Sequence, residues 1–317
     1  MTDTQNEVFK TPVNKIRLFE HGAPGSQNLK LTRKYYTEDM PDGRVKHTVQ
    51  NITDPDIVPY IPDGIGNSTD RQRIPAVLII PGGAFRRLVY NFEGEDVAKW
   101  LNSMGIAAFV LECRLPSDEH DNAEDVPLID AMRAMRVIRG RAQEFGIDEA
   151  KIGVMGFSAG GFMAALLSTA YESDVYADYK YKDEYDKLSA RPDFAVCSYP
   201  VISIDDCIEA GKRYMSEEQV LERISDSKAK ILHKYNPDKL VRPDMPPVFI
   251  CETDDDRTTL SENSVGFYMA ARKAGVSAEL HIFRTGGHGY GCGDDFAQTG
   301  EWKVLFTKWI KSIGIIS

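Results

Sequence analysis

The chain has 317 residues, of which 42% are hydrophobic and 27% charged, and it carries a formal net charge of −10. A chain of this length and composition buries a large core, which excludes a wholly disordered, collagen-like or disulfide-rich miniature protein. It contains no run of about 18 apolar residues, so we expect no membrane span. An acidic chain without a basic stripe is also a poor candidate for binding nucleic acid or an anionic membrane.

The cysteines are five in number and widely spaced, without a CxxC pair. An odd, scattered set favours free thiols in a reducing compartment and does not match a zinc site, so no metal is expected. The first 14 residues are polar and lack the apolar core of a signal peptide. We therefore expect a cytoplasmic location. The cysteines are Cys113, Cys197, Cys207, Cys251 and Cys292.

Short apolar runs alternate with helix-like segments from residue 76 to the end of the chain. The runs are continuous rather than alternating, which is typical of strands buried on both faces of a parallel sheet. Repeated strand–helix units predict a mostly parallel sheet with helices on both faces and right-handed crossovers. The predicted strands are 76–81, 106–113, 152–157, 193–200, 248–252 and 279–284, and the predicted helices are 96–104, 127–145, 261–274 and 296–313.

Two regions depart from this alternation. The first 70 residues contain β-type fragments broken by Pro and Gly, which predict an antiparallel edge. The segments 171–192 and 204–245 show no strand–helix pattern, and we expect them to form a small cap. Because the chain has neither an internal repeat nor a low-complexity linker, we predict a single α/β domain over residues 1–317 with these two cap insertions.

The main chemical signal is the pentapeptide Gly156-Phe157-Ser158-Ala159-Gly160. A GxSxG pattern occurs by chance in many proteins, but here it follows a predicted strand and opens a helix-like stretch. That context predicts a sharp turn that lifts the serine hydroxyl above the sheet and directs the free N–H groups of the helix toward an oxyanion. Ser158 is therefore the candidate nucleophile, and the alternative is a glycine-rich turn with an inert serine.

A second turn of small residues, with the sequence PGGAF, follows the strand predicted at 76–81. Small residues allow backbone N–H groups to point at a substrate carbonyl. The N–H groups of Gly83 and Ala84, together with that of Ala159, are therefore candidate donors of an oxyanion hole. The alternative is a plain turn after a strand.

A carboxylate and a histidine follow the last two predicted strands. The run Asp254-Asp255-Asp256 ends the first of these strands, and the glycine-flanked His288 ends the second. The chain order serine, aspartate, histidine is that of an α/β-hydrolase and differs from the orders on other serine-protease folds. His288 is the candidate general base, and each of the three aspartates remains a candidate for its partner at this point.

These motifs resemble the α/β-hydrolases of the esterase/lipase superfamily, above all the bacterial group that includes acetyl-xylan and feruloyl esterases. The matching stretches include PGGAF, EGEDVAKWLNSMGIAAFVLECRLP, GVMGFSAGG and PPVFICETDDDR, and they cover about residues 76–291. The resemblance implies the α/β-hydrolase fold, Ser158 as nucleophile, His288 as general base and an aspartate after the PPVFICE strand. The chain departs from the family in having PGGA rather than PGGG, and Thr259-Leu260 where Val-Pro is usual.

The family pattern also favours one of the three aspartates. It resembles Pro-Pro, an apolar strand and an acid pair whose second member is catalytic. Counted from Pro246-Pro247 without a gap, that member is Asp256, and counting back from the helix start near Glu262 gives the same residue. Asp255 remains the alternative.

Together these roles predict a serine carboxylesterase that cleaves short-chain acyl esters, including acetyl or feruloyl esters of carbohydrates. The expected partner is a small-molecule ester or an acylated oligosaccharide, and no cofactor is expected. Two other functions stay open: a serine peptidase of the oligopeptidase type, and a non-catalytic binding protein of the same fold. The first usually has a large extra gating domain, and the second typically lacks a triad member. The sequence leaves the acyl specificity and the oligomeric state open.

Some residues near these motifs have two interpretations. The segment 171–185 contains five tyrosines that could stack on sugar rings, although packing of these rings on the body of the protein is the favoured alternative. Arg86 and Arg87 could meet an acidic sugar or a ferulate carboxylate, or they could pair with local acids. Glu93 and Glu95 are expected to stabilise the start of the next helix through its dipole.

Overall fold

The computed structural model describes residues 9, 13–40, 43–65, 73–213, 216, 218–219, 229–293 and 298–317. Residues 214–215, 217 and 220–228 of the predicted cap and the first two residues of the predicted helix 296–313 lie outside the described residues. Two sheets are formed within these ranges. Their strands are β1 (Ile16–Arg17), β2 (Lys34–Asp39), β3 (Val45–Gln50), β4 (Asp56–Tyr60), β5 (Ile74–Ile80), β6 (Leu88–Val89), β7 (Ala107–Glu112), β8 (Ile147–Phe157), β9 (Ala195–Ser198), β10 (Val248–Thr253) and β11 (Ala278–Phe283).

The larger sheet has the strand order β1-β4-β7-β5-β8-β9-β10-β11, and the smaller, antiparallel sheet has the order β2-β3-β6. From β7 to β11 all neighbouring strands are parallel, whereas β4 pairs with β7 and β1 pairs with β4 in antiparallel fashion. The predicted parallel sheet and its antiparallel edge are therefore confirmed. The fragment expected from the first 70 residues also supplies two strands of the second sheet.

Helices connect the parallel strands, and their sides follow from the strand order. The chain steps from β5 to β7 in one direction and from β7 through β8 to β11 in the other, so right-handed crossovers place α1 on one face and α2, α4 and α7 on the opposite face. Trp100 of α1 contacts Trp302 and Phe306 of α8, with ring centroids 4.9 and 5.5 Å apart, so α8 packs beside α1. The helices are α1 (Asp96–Ser103), α2 (Val126–Gly140), α3 (Ala142–Phe145), α4 (Ala159–Ala170), α5 (Ile204–Lys212), α6 (Ala229–Lys234), α7 (Ser261–Lys273) and α8 (Trp302–Ser312).

Two predicted helices differ in detail from the observed ones. The helix predicted at 127–145 is interrupted at Arg141, whose backbone leaves the helical region with φ −104° and ψ 17°. The last helix begins at Trp302 after a 3₁₀ turn, Thr299–Glu301, later than its pattern predicts. The helix predicted at 261–274 ends as expected, with Gly275 in the left-handed conformation at φ +81°.

The change in strand order at β5 and β8 brings the chemical motifs to one place. β5 and β8 pair with Ile80 beside Gly156, and β8 and β9 pair with Phe157 beside Ser198. The carboxyl ends of three parallel strands therefore meet at the same edge, at the point where the strand order changes direction. Ligand sites of open α/β sheets lie at this kind of position.

The tyrosine-rich segment lies away from that edge. It begins after α4, a helix of 12 residues, so Tyr171 lies about 18 Å along the helix axis from Ser158. Tyr179 donates its hydroxyl to the carbonyl oxygen of Gly22 at 3.0 Å. This packing matches the favoured alternative, and the contacts of 171–192 give no support to a cap over the site in that segment.

A cluster of charged side chains fastens the same segment to α2. Arg133 Nη1 donates to Asp183 Oδ1 at 2.7 Å and to Asp186 Oδ2 at 3.0 Å. Tyr176 donates its hydroxyl to Asp186 Oδ1 at 2.9 Å, and Arg136 donates to the Tyr176 oxygen. We call these five residues the Arg133 cluster. The two arginines balance the charges of Asp183 and Asp186 and hold the segment on the helix.

The second expected insertion, 204–245, starts from the edge of the sheet where Ser158 lies. α5 follows the carboxyl end of β9, and Lys234 Nζ donates to Asp125 Oδ2 at 2.7 Å, just before α2 begins. A cap role for this segment stays a proposal. No helix within the described ranges is both long and apolar enough to cross a membrane.

Candidate active site

Ser158 occupies a strained turn between β8 and α4. Its backbone has φ +53° and ψ −117°, a conformation that L-residues rarely adopt outside functional sites. A side chain on Gly156 would overlap with the carbonyl oxygen of Gly160, and one on Gly160 would overlap with that of Ile80. Both glycines of the GxSxG motif are therefore required by close backbone packing, and the turn presents the serine hydroxyl at the edge of the sheet.

The hydroxyl of Ser158 begins a chain of hydrogen bonds. His288 Nε2 lies 2.8 Å from Ser158 Oγ, and His288 Nδ1 lies 2.6 Å from Asp256 Oδ2. A neutral imidazole with its proton on Nδ1 donates to the carboxylate and accepts from the hydroxyl. This arrangement can remove the serine proton during nucleophilic attack. We call Ser158, His288 and Asp256 the triad cluster.

Asp256 is buried and held by several donors. Its Oδ1 accepts from the N–H groups of Thr258 at 2.7 Å and Thr259 at 3.0 Å, and its Oδ2 lies 3.0 Å from the Thr259 hydroxyl. Burial alone would raise the pKa of Asp256, but the hydrogen bond and charge of His288, together with the two N–H groups, hold it below its usual range. The carboxylate is therefore stabilised in its ionised form beside the imidazole.

The other two aspartates of the run point elsewhere. Asp254 and Asp255 are exposed, and Asp255 Oδ1 accepts from the N–H of Gly287 at 2.8 Å. Of the two candidates left by the sequence, the structure brings Asp256 to His288. Thr259, which stands where the resembling family has valine, contributes a hydroxyl 3.3 Å from His288 Nδ1 that the sequence analysis did not foresee.

The PGGAF turn lies beside Ser158 with an unusual backbone. Gly83, Ala84 and Phe85 have φ values of +136°, +56° and +59°. A side chain on Gly83 would overlap with the carbonyl oxygen of Arg87. Among the described residues, no acceptor is bonded to the N–H of Gly83 or Ala84. These donors, and the N–H of Ala159 at the start of α4, are available to a bound oxyanion, although their role stays a proposal.

Two buried residues behind the site, Glu93 and Tyr199, were not predicted from the sequence to contact it. Glu93 was expected to stabilise a helix N-terminus. Only 4% of it is exposed, and it accepts from the N–H of Gly82 at 2.8 Å and the hydroxyl of Tyr199 at 2.9 Å. Burial raises the pKa of Glu93. Glu93 lies in the first turn of the helical segment that leads into α1, as the sequence predicts, but its burial and these two hydrogen bonds were not predicted. Its neighbour Glu95 lies near the surface and pairs with Lys99.

The arginines after the PGGAF turn are partly accounted for. Arg87 Nη1 lies 3.1 Å from Glu38 Oε1, which is the local pairing considered from the sequence. Within the described ranges, no three histidine, cysteine or carboxylate side chains converge in the way that metal ligands would.

Comparison with known proteins places the chain in a family. The model of the BD-FAE family matches residues 65–270. An acetylxylan esterase of Xylanibacter ruminicola is 31% identical over 240 residues, which are 75% of this chain and 45% of that protein. Endo-1,4-beta-xylanase B of Butyrivibrio fibrisolvens is 31% identical over 227 residues, which are 71% of this chain and 34% of that protein. The chain thus spans less than half the length of these two relatives.

Solved structures match over nearly the whole chain. The acetyl ester-xyloside bifunctional hydrolase of Caldicellulosiruptor lactoaceticus is 35% identical, with 96% of this chain and 97% of that chain covered and a TM-score of 0.71. The carboxylesterase Cest-2923 of Lactobacillus plantarum, at 21% identity and a TM-score of 0.67, covers 90% of this chain and 99% of its own and supports the fold alone. The resemblance drawn from the motifs and the α/β-hydrolase fold are confirmed, and the chain belongs to the BD-FAE family.

Proposed function

We propose that the protein is a serine carboxylesterase that removes short acyl groups, above all acetyl, from carbohydrate esters. The observation that carries this proposal is the unbroken hydrogen-bond chain from Ser158 through His288 to Asp256 at the carboxyl edge of the sheet. The names of the family relatives, an acetylxylan esterase and an acetyl ester-xyloside hydrolase, support the same chemistry.

In the proposed mechanism, Ser158 Oγ attacks the ester carbonyl while His288 Nε2 takes its proton. The N–H groups of Gly83, Ala84 and Ala159 stabilise the oxyanion of the tetrahedral intermediate, each donor worth about 3 kcal/mol. His288 then protonates the leaving alcohol, which leaves an acyl group on Ser158. Water loses a proton to His288, attacks the acyl carbonyl and releases the acid, and the serine recovers its proton. Asp256 holds the imidazole in the required tautomer throughout.

The preference for short acyl groups is the one expected from the sequence. The relatives' names support it, because the acetylxylan esterase and the acetyl ester-xyloside bifunctional hydrolase are both named for acetyl esters. A small cavity of about 10 Å³ lies beside Gly82 and Ala159, but none of Ser158, His288 and Asp256 lines it, so the proposal does not rest on its volume.

A panel of aryl esters and acetylated xylo-oligosaccharides tests the proposal. We expect acetyl and propionyl aryl esters to have a higher kcat/KM than octanoyl esters, and we expect acetate release from the oligosaccharides. Covalent labelling by a fluorophosphonate, detected by mass spectrometry, should modify Ser158 at one adduct per chain. A kcat/KM that rises steadily with acyl length would contradict the short-acyl proposal, and absence of an adduct would contradict the serine mechanism.

A further inference from the structure

We propose that Glu93 and Tyr199 form a positioning link between two loops of the site, an inference that rests on the proposed function. The oxyanion loop is Gly82–Ala84 and the histidine loop is Gly287–Gly291, and the link fixes the position of one relative to the other. The two loops follow different strands, β5 and β11, which are separated by three other strands of the sheet. A contact that joins the two loops directly would therefore add to the spacing that the sheet sets between the strands.

The Glu93 side chain holds the oxyanion loop at its first residue. Its Oε2 accepts from the N–H of Gly82 at 2.8 Å, so this N–H is not available to a substrate. The N–H groups of Gly83 and Ala84 have no acceptor within the part of the chain that the structure describes. A side chain on Gly82 would collide with both Phe157 and Glu93, so the loop is packed closely against the link. Glu93 itself lies on a π-helical turn, Asn91–Glu95, a rare element that is frequent at functional sites.

Tyr199 carries the connection to the histidine loop. Its hydroxyl donates to Glu93 Oε1 at 2.9 Å and accepts from the N–H of Gly291 at 3.0 Å. Its ring lies edge to face with the ring of His288, with centroids 5.1 Å apart. Its carbonyl oxygen accepts from the hydroxyl of Thr259, which also contacts Asp256. One residue thus contacts both loops and the surroundings of the acid.

The conformation of Tyr199 supports a functional role. Its φ is +37°, in the left-handed region that a bulky residue adopts only when the surrounding structure requires it. The three donors of the link are satisfied in one pattern: the Gly291 N–H donates to Tyr199, and both the Tyr199 hydroxyl and the Gly82 N–H donate to Glu93. A carboxylate accepts two such bonds, whereas an amide offers a single acceptor atom.

The test uses two variants of the link and two matched controls. Glu93→Gln keeps the shape and removes one acceptor, and Tyr199→Phe keeps the ring and removes the hydroxyl. Glu95→Gln makes the same change two residues away, near the surface. Tyr176→Phe removes a buried hydroxyl that also has two polar partners but belongs to the Arg133 cluster.

We expect kcat for an acetyl aryl ester to fall about 10- to 100-fold in each link variant, with KM nearly unchanged, because misplacement of the donors and the base affects the transition state rather than substrate binding. The double variant should lose no more than the worse single variant, because both changes break the same link. Both controls should retain the kcat of the parent protein, even if Tyr176→Phe lowers the melting temperature.

Failures of the two proposals are distinguishable. If Ser158→Ala abolishes activity while both link variants retain the kcat of their controls, the positioning role is wrong and the serine mechanism stands. If Ser158→Ala remains active, the proposed function fails and the link fails with it. A multiplicative loss in the double variant would also overturn the link, because it would show two independent effects. Should Glu93→Gln not fold, Tyr199→Phe decides alone, since it removes a single oxygen.

Discussion

The triad cluster and the Arg133 cluster both bury carboxylates beside cationic or titratable partners, yet their geometry differs. In the Arg133 cluster, Arg133 bonds two carboxylates, and its remaining Nε donates to the carbonyl oxygen of Leu18 at 2.9 Å. In the triad cluster, the nucleophile has a strained backbone, and 22% of the His288 side chain remains exposed. The first cluster is closed on itself, whereas the second presents reactive groups at the edge of the sheet.

The difference shows which features separate a site from a structural network. The sequence around the Arg133 cluster is rich in tyrosine and aspartate, as a sugar-binding surface would be, but its polar groups bond one another and hold a loop on α2. Around Ser158, the fold keeps four non-glycine residues with positive φ, namely Ala84, Phe85, Ser158 and Tyr199, and it leaves the N–H groups of Gly83 and Ala84 without an acceptor among the described residues. Strain and free donors are costly, so their conjunction indicates function more strongly than composition does.

The largest expected effect comes from the nucleophile. Ser158→Ala should reduce ester hydrolysis by about 10⁴-fold or more, because the remaining groups can only bind and polarise the substrate. The fold should be unaffected, since the hydroxyl contributes little packing at a turn. Steady-state kinetics and the melting temperature check both statements together. An active variant would place the chemistry outside the triad cluster.

The three aspartates sharpen the comparison within one loop. Asp256→Asn should lower kcat by about 10⁴-fold, because the amide favours the wrong imidazole tautomer. Asp254→Asn and Asp255→Asn are the matched controls and should have mild effects, since both side chains are exposed. The three kcat values under identical conditions give the measurement. A crippled Asp255→Asn beside an active Asp256→Asn would contradict the observed geometry.

The Arg133 cluster should respond in stability and not in activity. Arg133→Met removes the cation 3.0 Å from the buried Asp186 and leaves the more distant Arg136 Nη1 at 3.9 Å, and it should lower the free energy of unfolding by about 3 kcal/mol. Arg73→Met, which breaks an exposed pair with Glu149, should cost less than about 1 kcal/mol. Urea unfolding measures both values. At a temperature where Arg133→Met is folded, its kcat should equal that of the parent protein, and a large loss of kcat would show that the cluster reaches the site.

The smallest effect concerns Glu252, a buried carboxyl beneath the triad cluster. Burial, together with the nearby charge of Asp256, raises the pKa of Glu252 well above its usual value near 4.5. Ionisation is thus more costly in the folded state, so the stability of the parent protein falls as the pH rises above about 4.5 toward the raised pKa. Glu252→Gln resembles the neutral acid and cannot ionise, so its stability should not fall with rising pH for this reason.

We therefore expect the melting temperature of Glu252→Gln, relative to the parent protein, to rise by about 2 °C or more between pH 5 and pH 8. Glu262→Gln is the control. Arg213 holds the pKa of Glu262 below its usual value, so the stability that ionised Glu262 contributes is lost only at lower pH. The difference in melting temperature between Glu262→Gln and the parent protein should therefore stay constant from pH 5 to pH 8. Parallel curves for Glu252→Gln and the parent protein would contradict the predicted ionisation.

Local sequence patterns predicted the parallel strands, the turns of the site and the positions of its residues after strands. Continuous apolar runs predicted the six parallel strands, because a strand buried on both faces needs no polar alternation. The glycines around Ser158 and in PGGAF predicted turns of close backbone packing, a property that belongs to a few adjacent residues. The order of Ser158, the aspartate run and His288 placed all three after strands, and parallel strands bring such residues to one edge. The cytoplasmic location stays a prediction.

Only the tertiary structure determined which side chains contact one another. Which aspartate faces His288 depends on how the chain turns after β10, and three adjacent carboxylates offer no local difference. The sequence indicates only that Glu93 is an acid at the start of a helix. Its hydrogen bonds with Gly82 and with Tyr199, which is 106 residues away, are seen only in the folded chain. Packing of the tyrosines of 171–185 on the body of the protein was the favoured prediction, but the sequence did not show their partners. Tyr176 and Tyr185 contact α2, whereas Tyr181 is 43% exposed. Periodicity and turn chemistry act over a few residues, whereas burial and hydrogen bonding join residues distant in the chain, and only the folded chain shows those contacts.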